Sequence, residues 1–120
     1  MFIFLDNSEE WKIIFWTISG KKTAQFIFQG ARAKQGLLGC FDELIKDKKI
    51  VLKKIIGIGV RVGSGRFTST RIAATFGNTL SYFLHKRIVC LVDFTPELFL
   101  QKIRKANAGI YLSAKYSGQA

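Results

Sequence analysis

The sequence predicts one α/β domain whose mixed β-sheet is covered by helices. Three observations lead there. The apolar pattern changes period along the chain, from short β-branched and aromatic runs to helical stripes and back. Three runs joined by two short turns come first, as a β-meander, and strands then alternate with helices. The chain has 120 residues and 48 % hydrophobic side chains, which suits a single domain with its own core.

The elements follow in order. FIFL (2–5) is a short strand that the turn cluster Asp6-Asn7-Ser8 ends. WKIIFWTIS (11–19) is the second strand. Its Ile13 and Phe15 face one side and Ile14 and Trp16 the other, so layers are expected above and below it. The turn at Ser19–Lys22 leads to TAQFIFQ (23–29). In residues 31–49, Leu37, Leu38, Phe41, Leu44 and Ile45 form one helical stripe. KIIGIGVRV (54–62) returns to strand composition, and a glycine turn opens a second helix over Thr68–Lys86. Its apolar stripe is Ile72, Phe76, Leu80, Phe83 and Leu84. RIVCLVDF (87–94) reads as a buried strand. Thr95-Pro96-Glu97 has the N-cap hydroxyl, N1 proline and early acid that start a helix, which ELFLQKIRKA continues. GIYLSAKY (109–116) reads as a last strand. The order β-β-β-α-β-α-β, then a short helix and strand, suits a ribonuclease-H-like half of the actin and sugar-kinase superfamily. Other α/β folds stay open.

Nineteen Lys and Arg stand against eight Asp and Glu, a net charge of +11. A field of that sign favours RNA, DNA or an acidic protein surface, or it only keeps the domain in solution. Cys40 and Cys90 have no metal spacing with each other or with His85, and both lie in apolar segments, as buried reduced thiols do. The N-terminus has no basic leader and reaches Asp6 too early for a signal peptide. No apolar run approaches the roughly 18 residues of a membrane span. A cytoplasmic protein without a membrane partner is expected.

The turn GIGVRVGSGRFTSTR raises the question of a phosphate cradle. A P-loop needs Gly-Lys-Ser/Thr after the turn, and the dinucleotide fingerprint needs a third glycine where Thr68 stands. Both fail on spacing. An anion at the second helix's start beside Arg66 and Arg71 stays open, but a tight turn with one glycine at positive φ explains the pattern better. Acid–base groups are few, with one His among eight carboxylates. Asp6 is the one carboxylate at a strand end in a plausible cleft. It is either a vestigial nucleotide site or an Asx-turn, and the missing phosphate loop favours the turn. Asp42 and Glu43 are adjacent and point to different sectors. His85 suits the C-terminal dipole of the second helix. No cofactor and no metal are expected.

These residues carry a resemblance. The stretch from Ile55 to Leu91 resembles the most recognisable segment of the TsaB (YeaZ) family, a strand followed by Gly-Pro-Gly-Ser-Phe-Thr-Gly-Leu-Arg-Ile-Gly and a small-residue helix. Gly63, Gly65, Phe67, Thr68, Arg71 and Ile72 stand at matching positions. FIFLDNSEEWKIIFW resembles the family's opening strand through Asp6 and Ser8. LLGCFDELIKD resembles its first helix through Leu37, Leu38, Asp42, Glu43 and Leu44. The likeness covers residues 2 to about 92. Ser64, Arg66, Ser69 and Thr70 depart from the pattern, Asn7 replaces Thr, and the second half-domain of such proteins is absent or truncated. The resemblance implies residues 1–120 as a single actin-like half and a non-catalytic role. Such proteins support TsaD, which transfers threonylcarbamoyl to a tRNA adenosine, and a TsaE ATPase joins the complex. The implied partners are therefore a TsaD-like transferase, a TsaE-like ATPase and, through the complex, tRNA.

A partner face can be read from the second helix. Ala73, Gly77 and Ser81 repeat every four residues beside Ile72, Phe76, Leu80 and Phe83. Small residues in a row admit a close helix. Leu37, Gly39 and Phe41 extend the face onto the first helix. On this reading the row meets TsaD helices or a second copy, and Gly77→Leu abolishes association while leaving a folded monomer. On the simpler reading the row packs on the chain's own sheet. Two other functions compete: a nucleotide-binding member of the actin superfamily, and a free-standing basic RNA-binding module. In the latter Lys21, Lys22, Lys46, Lys48, Lys49, Lys53, Lys54, Arg61, Arg66 and Arg71 would supply phosphate contacts.

Overall fold

The computed structural model describes residues 1–63 and 67–112, with Phe67 by its backbone alone. Five strands form one sheet in the order β3-β2-β1-β4-β5. β1 (Phe2–Glu9), β2 (Lys12–Ser19) and β3 (Lys22–Gln29) make the antiparallel meander, while β4 (Gly57–Arg61) and β5 (Arg87–Leu91) add in parallel beside β1. The crossovers are α1 (Gly36–Lys46) and α2 (Phe67–Leu84), and α3 (Pro96–Lys105) follows β5. This is the expected ribonuclease-H-like arrangement.

β2 is buried on both faces because two separate cores sandwich the sheet. Above it, Ile13, Phe15, Ile58 and Val60 meet Leu37, Phe41, Leu44 and Leu80 of α1 and α2. Below it, Phe4, Ile18 and Val89 meet Phe99 and Ile103 of α3. α3 fits closely because β4 offers no side chain there: a Cβ on Gly59 would stand 2.5 Å from Phe4 and 2.7 Å from Phe99. The α3 start follows its sequence signature, with Thr95 Oγ1 accepting from the Leu98 N–H at 3.1 Å.

Several expectations need correction. Asp6-Asn7-Ser8 does not end β1. The strand runs on to Glu9, and the register passes from Asp6↔Ile14 to Glu9↔Lys12, which leaves one extra residue on β1. The segment is a β-bulge, and the chain reverses at Glu10 and Trp11, where Trp11 takes a φ of 58°. Six residues of 3-10 turn, Gly30–Gln35, precede α1. α2 stops at Leu84, because His85 adopts a φ of 56°. Residues 109–112 of the expected last strand are turn and irregular chain, and residues 113–116 lie outside the described residues.

The helical stripes are also corrected. Leu38 and Phe83, read as members of the apolar stripes, are 68 % and 74 % exposed. α1 buries Leu37, Cys40, Phe41 and Leu44 instead. α2 turns its small residues inward: Thr70, Ala73, Ala74, Gly77 and Ser81 are buried, while Ile72 faces outward. The cause is distance. A Cβ on Gly77 would lie 2.7 Å from Val60 and 2.8 Å from Ile88, so the helix lies directly on β4 and β5. A Phe or Ile at these positions would hold it away.

Candidate functional site

Two places carry the residues singled out by the sequence. The first is the carboxyl edge of β1 and β4. The bulge turns the Asp6 carboxylate inward, where Oδ1 accepts from the Ser8 N–H at 2.9 Å and from the Ser8 hydroxyl at 2.6 Å. Its other oxygen pairs with Arg61 Nη1 at 3.0 Å, and Arg61 Nε donates to the Val92 carbonyl. Asn7 donates to the Ser69 carbonyl at 3.0 Å and so ties the bulge to the first turn of α2. Both Asp6 oxygens are engaged within the chain, in a local turn plus one ion pair. Arg61 is engaged with it rather than free for phosphate.

At the start of the glycine turn Gly63 has a φ of 80°. Gly65 and Arg66 lie outside the described residues, as does the side chain of Phe67. Thr68 and Arg71 are exposed and line an outer hollow of about 450 Å³ with Ile72, Thr75 and Phe76. Arg71 thus opens onto the outer surface of α2. Among the described residues no group of three His, Cys, Asp or Glu side chains could hold a metal ion. No described helix is long and apolar enough to cross a membrane.

The second place is the outer surface between α1 and α2. The Phe41 and Phe76 rings meet edge to face, 5.2 Å apart, and join the two helices. Above them opens an apolar groove of about 360 Å³, lined by Leu38, Phe41, Leu52, Phe76, Thr79, Leu80 and Phe83. Leu38 and Phe83 stand on its rim. Large aliphatic and aromatic groups so exposed and adjacent are uncommon on a monomer surface without a partner.

The residues expected at a partner face therefore divide. Phe41, Phe76 and Leu80 line the groove, and Ile72 stands exposed beside it. Leu37 is core, and Gly39 is half-buried with a Cβ position 3.0 Å from Gln35. Ala73, Gly77 and Ser81 are buried against this chain's own sheet, the packing of the simpler reading. Phe83 is on the surface beside Phe76 and Leu80, and so is Leu38, which the partner-face reading left out. Leu37, Cys40, Phe41 and Leu44 keep helical spacing and leave two apolar residues over, Leu38 and Ile45, of which Ile45 packs against the core.

No family model matches the chain, and no curated protein matches it. Among solved structures it is similar to YeaZ from Pseudomonas aeruginosa, with TM-score 0.65 and 21 % identity over 77 % of this chain and 44 % of that one. It is similar also to a protein described as uncharacterised with similarity to peptidase YEAZ from Pseudomonas aeruginosa. There the TM-score is 0.65 and the identity 21 %, over 87 % of this chain and 48 % of the other. The chain spans less than half the length of each. At this identity the likeness shows the fold, an actin-like half-domain of the YeaZ kind.

Proposed function

We propose that this chain is a TsaB-like, non-catalytic scaffold of the cytoplasm that docks a TsaD-like transferase through the α1–α2 groove. In that role it supports threonylcarbamoyl modification of tRNA, with a TsaE-like ATPase joining the assembly. The carrying observation is the groove itself, an apolar surface rimmed by Leu38 and Phe83 at 68 % and 74 % exposure. Two further features support the reading: the YeaZ-like fold, and the internal engagement of both Asp6 oxygens, which leaves that carboxylate a structural part. The partner side would insert apolar helix residues between the rims, and the Phe41–Phe76 pair would form the floor. A second copy of the chain is the competing occupant.

The test is light-scattering size exclusion of the chain alone and mixed with the TsaD-like protein of the same source. The chain forms a stoichiometric complex, and Leu38→Asp/Phe83→Asp forms none. Because both side chains are exposed, the variant keeps its melting temperature within the small range of surface substitutions. A complex that survives the double substitution, or no complex at all, overturns the reading. A dimer of the chain that the variant loses assigns the face to self-association.

A further inference from the structure

The cations of this chain are segregated by the fold. The register places Ile18, Phe2, Gly57 and Arg87 in one row across β2, β1, β4 and β5. The segments just outside that row stand along a single sheet edge: the β2–β3 turn at 19–22, the α1–β4 connection at 46–56 and the α2–β5 turn at 85–87. Two contacts fix the edge further. The Ile56 N–H donates to the Met1 carbonyl at 2.8 Å, and a Cβ on Gly57 would lie 2.9 Å from Ile103, which brings the end of α3 to the same place. With residues 104–106, these segments hold eleven of the nineteen Lys and Arg and a single acid, Asp47. Among the described residues the one ion pair they make is Lys46 with Asp42, at 2.9 Å.

The opposite edge behaves differently. There Lys12 pairs with Glu9 and Arg61 with Asp6, while Arg32 pairs with Glu43 on the side of α1. The net charge of the molecule is thus concentrated at the amino edge of the parallel strands. The pole touches the α1–α2 groove through Leu52, while none of its cations lines that groove. Its segments carry no Phe, Tyr or Trp, and their exposed aliphatic groups are Val51 and Ile56. Protein interfaces need buried aromatic or aliphatic anchors, and membrane-surface binding needs an inserted apolar face. A row of lysines with no aromatic anchor, and with only Val51 and Ile56 exposed among its aliphatic groups, suits a phosphodiester backbone, which is recognised by charge and position. From β3 to β5 the edge spans four strand spacings, about 19 Å, which faces on the order of ten duplex phosphates.

We propose that this basic pole seats the phosphate backbone of a folded RNA directly, without a protein partner. The choice of RNA over DNA rests on the function proposed above; the seat for a polyphosphate backbone rests on the charge geometry alone. The experiment measures binding of the isolated chain to an unmodified tRNA transcript over a salt series. A DNA duplex and phosphatidylglycerol vesicles run in parallel. Lys53→Gln/Lys54→Gln/Lys86→Gln makes the log–log salt slope shallower by about 0.7–0.9 for each phosphate no longer neutralised. Lys12→Gln/Arg32→Gln/Lys34→Gln removes the same charge from outside the pole and leaves the slope nearly unchanged. The groove variant Leu38→Asp/Phe83→Asp keeps the lysines, so RNA binding persists there when docking is abolished. Equal effects of the two charge variants, tighter binding to DNA or vesicles, or no binding to the transcript each overturn the proposal.

Discussion

Cys40 shows how far a single side chain is set by its neighbours. It is fully buried on α1, with its sulfur 3.7 Å from the Arg32 carbonyl. Burial first, and the Glu43 charge second, push its thiol up to about 11 from 9.0. Its thiolate is therefore scarce at neutral pH, and the native protein reacts slowly with iodoacetamide until denaturant is added. The linkage has a definite sign. Above pH 9.0 the unfolded thiol loses its proton while the native one holds it, up to about 11. The stability contribution is complete below pH 9 and is lost as pH rises through that window. Urea melts check this: the wild type loses stability relative to Cys40→Ala between those pH values. An unchanged difference would mean that the buried site admits water. Cys90 is pushed in the same direction, also mainly by burial, and its presence in both proteins cancels its effect from the comparison.

The packing of whole elements explains which parts of the fold could be read in advance. Strand identity, the meander and the two-sided burial of β2 were legible, because alternation and runs of β-branched residues report directly on a sheet. The cap of α3 was legible because Thr95, Pro96 and Glu97 act locally. The facing of α2 was not. An amphipathicity argument turns the largest apolar residues inward, but β4 and β5 demand close approach, and only Ala73, Gly77 and Ser81 allow it. The same inversion blurred the candidate site, since it sent the small row to the partner face alongside Phe76, Leu80 and Phe83. The β1 bulge was hidden because Asp6-Asn7-Ser8 has turn chemistry, and here that chemistry holds an extra strand residue. Gly77 tests the corrected packing. Alanine would gain about 1 kcal/mol of helix propensity but meet Val60 and Ile88 inside a closed core, where overpacking costs roughly 1–3 kcal/mol. Gly77→Ala therefore lowers the melting temperature by several degrees, and Gly77→Leu leaves no folded monomer. Calorimetry that finds either variant as stable as the parent would return the row to the surface.

At the scale of the molecule, the charge distribution opposes folding as well as serving a partner. Eleven cations along one edge, with Asp47 as the acid among them, repel one another in the folded state and separate when the chain unfolds. The Lys12–Glu9 and Arg32–Glu43 pairs pull the other way, but their groups are exposed or partly so and each contributes little, about 0–1 kcal/mol; the Arg61–Asp6 pair, whose carboxylate is buried, is screened less than these. Salt screens both. The screening length falls from about 30 Å at 0.01 M to about 8 Å at 0.15 M, so repulsion across the pole is cut most, while contacts near 3 Å persist. The net effect is stabilising. The melting temperature rises between those two salt concentrations, and the gain shrinks in Lys53→Gln/Lys54→Gln/Lys86→Gln, which already lacks three of the repelling charges. A melting temperature that falls with added salt would mean that the ion pairs outweigh the pole. The fold would then carry its basic edge without strain, and the edge would need no polyanion to neutralise it.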